Sequence, residues 1–222
     1  MTSARDRWFP EDPPPSPRRV RKHALADDVR ALIGEVLMLD IEALTDDQLL
    51  LLEERLALAR KAFAGLPDIR AQGMFVGDDS SLFERSPLSG RSNALAAPLA
   101  LEFHGDLTRG HATYGECYEG PPGLVHGGHV IAAFDDLLGV AQAASGLAGL
   151  TGTLEVRLRS GTPLHERIDY EAGVLGHEGR KIIAWGKSYH AGVLLAEATG
   201  TFIEPRGGHP VRAIMQRALD GT

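Results

Sequence analysis

The segment from Gly127 to Ala144 limits what this chain can fold into more than any other. Val130, Ile131, Ala132, Ala133, Phe134, Leu137, Leu138, Val140, Ala141 and Ala143 put apolar groups on nearly every side of a helix. Such a helix has no face for water and must be enclosed. The segments around it alternate at period two, the mark of strands with one buried face. Two precede it, Pro98 to His104 and Leu107 to Glu119, joined by the turn-forming Gly105-Asp106. Four follow: Leu154, Val156 and Leu158; then Ile168, Tyr170, Ala172 and Val174; then Arg180 to His190 and Val193 to Ile203, joined by His190-Ala191-Gly192. Two strands, one long helix and four strands predict an α+β fold. One face of an antiparallel sheet covers the helix, and the other face is left to water or a second subunit.

The rest of the chain divides by composition. Residues 1–22 hold Pro10, Pro13, Pro14, Pro15 and Pro17 among scattered charges and read as a disordered tail. Residues 23–66 read as a helical hairpin. Its first helix carries Leu25, Val29, Leu32, Ile33, Val36 and Leu37. Its second opens on the capping-box pattern Thr45-Asp46-Asp47-Gln48, carries the stripe Leu49, Leu52, Leu56, Ala59 and Phe63, and closes at Gly65 and Pro67. The apolar face of this hairpin needs a partner, either the main domain or a second copy of the chain. Residues 67–95, rich in Gly, Ser, Asp and Pro, read as a linker, 96–205 as the main domain and 206–222 as a C-terminal tail.

Function classes narrow on charge and cysteine. A formal net charge of −7 opposes general nucleic-acid binding, which needs clustered lysine and arginine. No stretch approaches the roughly 20 apolar residues of a membrane-spanning helix. The Arg18-Arg19 pair lacks the unbroken apolar segment of an export signal. The single cysteine, Cys117, excludes an internal disulfide and fits a reducing, cytoplasmic setting. A small-molecule substrate is the expectation.

Two carboxylates, Asp135 and Asp136, interrupt the enclosed helix. They project about 100° apart, so one at most faces a given cleft. Taken alone, the pair reads as a solvated polar patch. Its context is Val125-His126-Gly127-Gly128, with Asp135 nine residues after His126. This motif, with Leu138-Gly139, Gly149-Leu150-Thr151, Thr162-Pro163-Leu164, Gly179-Arg180-Lys181 and the run Ala196 to Ile203, resembles the HGG-type hotdog-fold acyl-CoA thioesterases. These are the phenylacetate-degradation PaaI-like family of the 4-hydroxybenzoyl-CoA thioesterase superfamily, and the likeness spans residues 86–204. It implies a curved antiparallel sheet around a central helix, in a homodimer or tetramer with active sites at the dimer interface. It also implies hydrolysis of acyl-CoA to a carboxylic acid and coenzyme A without metal or organic cofactor, coenzyme A being part of the substrate.

By the same resemblance, Gly127 sits at the amino end of the helix, where an unpaired N–H and partial positive charge can hold a developing oxyanion. Asp135 is the acid that activates water or attacks the thioester carbon. Thr151 reaches the facing subunit's site and orients the water or the acid. His126 is counted with Gly127, Asp135 and Thr151 in the catalytic set, and its own reading is that it structures the loop through hydrogen bonds. Gly128, Arg180 and Lys181 bind substrate, the last two at the coenzyme A phosphates, with ordinary edge-strand charge an equal reading for that pair. Asp136 is expected in a salt bridge or an interface, Cys117 in a strand of the core, and Arg157 and Arg159 facing solvent. Gly120 stands six residues before His126, where some relatives carry an amide side chain, and Gly120-Pro121-Pro122-Gly123 suggests a stiff loop.

Three other readings were weighed against this one. His126 and His129 could share a helix face and hold a metal, but no third ligand stands at a telling spacing. A non-catalytic acyl-CoA sensor or interaction module would keep the fold without needing Gly127, Asp135 and Thr151 together. A hydratase or dehydratase would want a differently placed histidine.

Overall fold

The computed structural model describes residues 16–67, 84–97, 99–104 and 107–207. Its strands are β1 (Ala100–His104), β2 (Leu107–Thr113), β3 (Leu150–Leu158), β4 (Arg167–Glu178), β5 (Lys181–His190) and β6 (Val193–Ile203). They form one sheet in the order β1-β2-β4-β5-β6-β3, with every neighbouring pair antiparallel. The helices are α1 (Pro17–Leu37), α2 (Asp46–Ala62) and α3 (Gly127–Ala144). This is the α+β order read from the sequence. Gly105 and Asp106 lie outside the described residues. The β5–β6 turn has φ of 48° at Ala191 and 81° at Gly192, the two positive values that a tight hairpin matching the strand twist requires.

The core lies between α3 and the sheet. Ile168, Tyr170 and Ala172 of β4, Ile182 and Ala184 of β5, and Ala196, Ala198 and Phe202 of β6 are buried with Phe134, Leu137 and Leu138 of α3. Burying each large side chain stabilises the fold by about 1.5–3 kcal/mol. The helix approaches closely because the sheet beneath it offers glycine. A Cβ at Gly186 would stand 2.8 Å from Leu138 Cδ1, and one at Gly200 would stand 2.9 Å from Leu138 Cδ2. The buried phenols of Tyr114 and Tyr170 satisfy each other at 2.7 Å.

Several boundaries differ from the sequence expectation. β2 ends at Thr113 rather than Glu119: after Gly115 the chain turns into a 3₁₀ segment, Glu116–Tyr118, whose Tyr118 hydroxyl donates to the Ala96 carbonyl at 2.8 Å. Cys117 therefore sits in that segment, half-buried, and not in a strand. α1 begins at Pro17, inside the expected tail, because the Ser16 side chain accepts from Arg19 N–H and proline fits the first helical turn.

Residues 84–97, expected as linker, are held between α1 and the main domain. His23 Nε2 lies 2.7 Å from Glu84 Oε2, and Arg30 donates to the carbonyls of Asn93 at 3.0 Å and Ala96 at 3.3 Å. α1 thus docks through Ala26 and Arg30, leaving Leu25, Val29, Leu32, Val36 and the following Leu39 exposed. α2 has its expected capping box, Thr45 with Gln48, yet none of its residues is buried. The two helices of the expected hairpin form but do not close into a packed pair.

Candidate active site

The amino end of α3 is fixed by the loop before it. Glu119 and Val125 form a β-bridge, Gly120 N–H donates to the Leu124 carbonyl at 2.9 Å, and Gly123, with φ of 75°, donates to the Glu119 carboxylate at 2.7 Å. Val125 N–H reaches the Thr162 carbonyl and His126 N–H the Tyr118 carbonyl, each at 2.8 Å. The Gly-Pro-Pro-Gly loop is tied by these bonds to the amino end of α3 and to the Thr162 strand connection. No side chain fits at Gly120, where a Cβ would meet His126 Cα at 2.8 Å.

His126 is the N-cap of α3. Its Nδ1 accepts the Gly128 N–H at 3.0 Å, the task usually given to Ser, Thr, Asp or Asn, so this nitrogen carries no proton in the bonded form. Gly128, expected at the substrate, gives its N–H to this ring. The Gly127 N–H has no hydrogen-bond partner among the described residues.

Two turns along α3, the same helix face presents Asp135. Thr151, at the start of β3, donates from Oγ1 to Asp135 Oδ1 at 2.9 Å, a contact within one chain. The face from Gly127 through Ile131 to Asp135 runs beside β3: a Cβ at Gly127 would lie 3.2 Å from Leu158 Cδ1. β3 is an edge strand, and Leu150 and Leu158 are 53% and 52% exposed.

Asp136 is packed against the turn containing Ser86 and Ser89, has no salt-bridge partner among the described residues, and its Oδ2 is buried without a hydrogen-bond partner. Burial raises its pKa, the Ser89 hydroxyl opposes that, the neighbouring Asp135 charge adds to it, and Ser86 opposes it again, leaving a net rise. Sequence reasoning missed both serines because they belong to a segment whose composition signals only turns.

His129 packs edge-on against the Tyr118 ring, with centroids 5.1 Å apart, and burial together with His126 lowers its pKa. Among the described residues, no third ligand joins the two histidines. Arg180 Nε donates to the Glu204 carbonyl at 2.7 Å, and Lys181 opens β5 opposite Ile203, which also pairs with Leu150. Strand spacing puts Lys181 about 10 Å from Leu150, at the same end of the sheet as Thr151. Arg157 and Arg159 are exposed as expected, paired with Glu155 and Glu197.

No protein-family model and no curated protein matches this chain. Solved structures do. A crystallised thioesterase superfamily protein is 30% identical, with 82% of this chain and 90% of that chain covered at a TM-score of 0.71. The PaaI protein of the E. coli phenylacetic acid degradation operon is 12% identical over 48% of this chain and 83% of that chain, at a TM-score of 0.46. A hypothetical thioesterase from Streptococcus pneumoniae TIGR4, crystallised with coenzyme A, is 15% identical over 47% and 86%, at 0.45.

Proposed function

Because the chain belongs to the thioesterase superfamily and has the hotdog fold, we propose that it is an acyl-CoA thioesterase of the PaaI-like type. Water adds to the thioester carbonyl, the carbon–sulfur bond breaks, and a carboxylic acid and the thiol of coenzyme A leave. The observation that carries this reading is the 2.9 Å hydrogen bond from Thr151 to Asp135, on the helix face that begins with the uncommitted Gly127 N–H.

One chain does not complete the site. Eight residues at 1.5 Å per residue separate Gly127 from Asp135 by about 12 Å, too far for both to touch one carbonyl. Two copies of α3 running antiparallel across the exposed edge of β3 remove the conflict, with Gly127 of the partner subunit facing Asp135. The half-exposed Leu150 and Leu158 on that edge favour such a homodimer. There the Gly127 N–H holds the carbonyl oxygen as it gains charge. Asp135, oriented by Thr151, either takes the proton of the attacking water or attacks the carbon itself. Arg180 and Lys181 lie at the end of the sheet where the coenzyme A phosphates would pass.

Thiol release from a panel of acyl-CoA thioesters tests the reading. Asp135→Asn is expected to lower kcat by about 100-fold or more without changing oligomeric mass or Tm. A wild-type protein that binds acyl-CoA and releases no thiol would make the domain a sensor. Label from ¹⁸O water found in the Asp135 carboxylate after a single turnover would establish nucleophilic attack, since general-base catalysis puts the water oxygen only in the product.

A further inference from the structure

The exposed stripes on α1 and α2 match each other. On α1 and the residues just after it, Leu25, Val29, Leu32, Val36 and Leu39 recur at alternating intervals of four and three, and all are exposed, Leu32 least at 39%. On α2, Leu49, Leu52, Leu56, Ala59 and Phe63 recur at intervals of three and four, with Leu56 38% exposed. Each is a heptad seam of the kind that packs knobs into holes. Laid antiparallel, the two run in one register, with Leu25 opposite Phe63, Val29 opposite Ala59 and Leu32 opposite Leu56. That register sets Glu35 of α1 beside Arg55 of α2, a complementary pair flanking the seam. It also places the basic start of α1, Arg21 and Lys22, at the carboxyl end of α2, where the helix dipole favours positive charge.

The connection between the helices holds them apart within one chain. Met38 N–H returns to the Gly34 carbonyl, Ala43 N–H to Asp40 and Leu44 N–H to Ile41, and the Thr45–Gln48 capping box then fixes the direction of α2. This elbow is hydrogen-bonded nearly throughout. Folding α2 back onto its own α1 would break it, whereas a second chain can bring its α2 to the seam with the elbow intact.

We infer that two copies of this chain exchange their α2 helices, each α2 lying antiparallel on the α1 seam of the other copy. The contact is isologous, since the same two stripes meet twice, and it covers both stripes on both chains. Pairing α2 with α2 instead would bring Arg55 against its own copy at the two-fold axis and leave α1 uncovered. The inference is independent of thioester chemistry and of pairing along β3.

Disulfide trapping in a Cys117→Ser background tests it. Leu32→Cys and Leu56→Cys are placed in separate chains, co-expressed and oxidised, after equal Tm and circular dichroism have shown that both fold. The expected product has twice the chain mass and contains one chain of each kind, and neither variant cross-links alone. Glu35→Arg in the first chain should reduce the trapped product, and Arg55→Glu in the second should restore it. Homodisulfides from Leu56→Cys alone would overturn the exchange in favour of α2 pairing with α2. So would a monomer-mass disulfide in the double variant Leu32→Cys/Leu56→Cys, in favour of closure within one chain. Absence of any trapped product would overturn it as well.

Discussion

α3 and α2 are nearly equal in length, 18 and 17 residues, and both are rich in leucine or alanine, yet one is enclosed by the sheet and the other has no buried residue among the described residues. The difference lies in charge content and capping. α3 has apolar groups all round and only Asp135 and Asp136 as charges, so it has no stable existence outside a core. α2 also has leucines off its seam, Leu50, Leu51 and Leu58, but it carries Glu53, Glu54, Arg55, Arg60 and Lys61, with Asp46 and Asp47 in its first turn and a reciprocal cap. Local interactions can thus form the helix before a partner covers its stripe.

Substitutions can break or sharpen that contrast. In α3, Leu138→Ala removes a side chain pressed between Gly186 and Gly200, and should cost about 2–5 kcal/mol in a denaturant melt because the cavity has rigid walls. A cost under about 1 kcal/mol would mean that the helix is not clamped as described.

A smaller effect belongs to Asp136 on the same helix. Its folded pKa lies above the ordinary 3.8, so the folded state holds the proton more tightly than the unfolded state. Stability from that proton is fully present below 3.8 and is lost as pH rises through the raised folded value. Asp136→Asn, which mimics the protonated form, should raise Tm at neutral pH by about 2–4 °C, with the two curves converging in acid. Equal Tm values at every pH would contradict the buried placement. The smallest effect is expected on α2, where Leu58 lies off the seam and is 61% exposed: Leu58→Ala should stay within about 0.5 kcal/mol by the same melt.

The sequence carried the element order well because it rests on short-range pattern: all-round apolarity for α3 and period-two alternation for the strands. What it concealed depends on distant contacts. Residues 84–97 look like a linker by composition, and their order comes from His23 and Arg30, more than sixty residues away in sequence. The end of β2 was hidden because Tyr114 and Tyr118 continue an alternating pattern through a segment that has already turned. The start of α1 carries a local signal, the Ser16-Pro17 cap with a first-turn proline, which the neighbouring prolines mask. At the site, Asp135 and Thr151 were singled out only through resemblance to a family, since nothing in either residue's neighbourhood announces a hydrogen bond across sixteen positions.

Gly120 limits which neighbouring sequences this fold can reach. With His126 Cα where a Cβ would have to go, every single substitution at this position meets backbone, whatever codon it comes from. A lineage carrying this loop therefore has no one-step path to the amide side chain that some relatives hold here. Gaining it would require rebuilding the turn first.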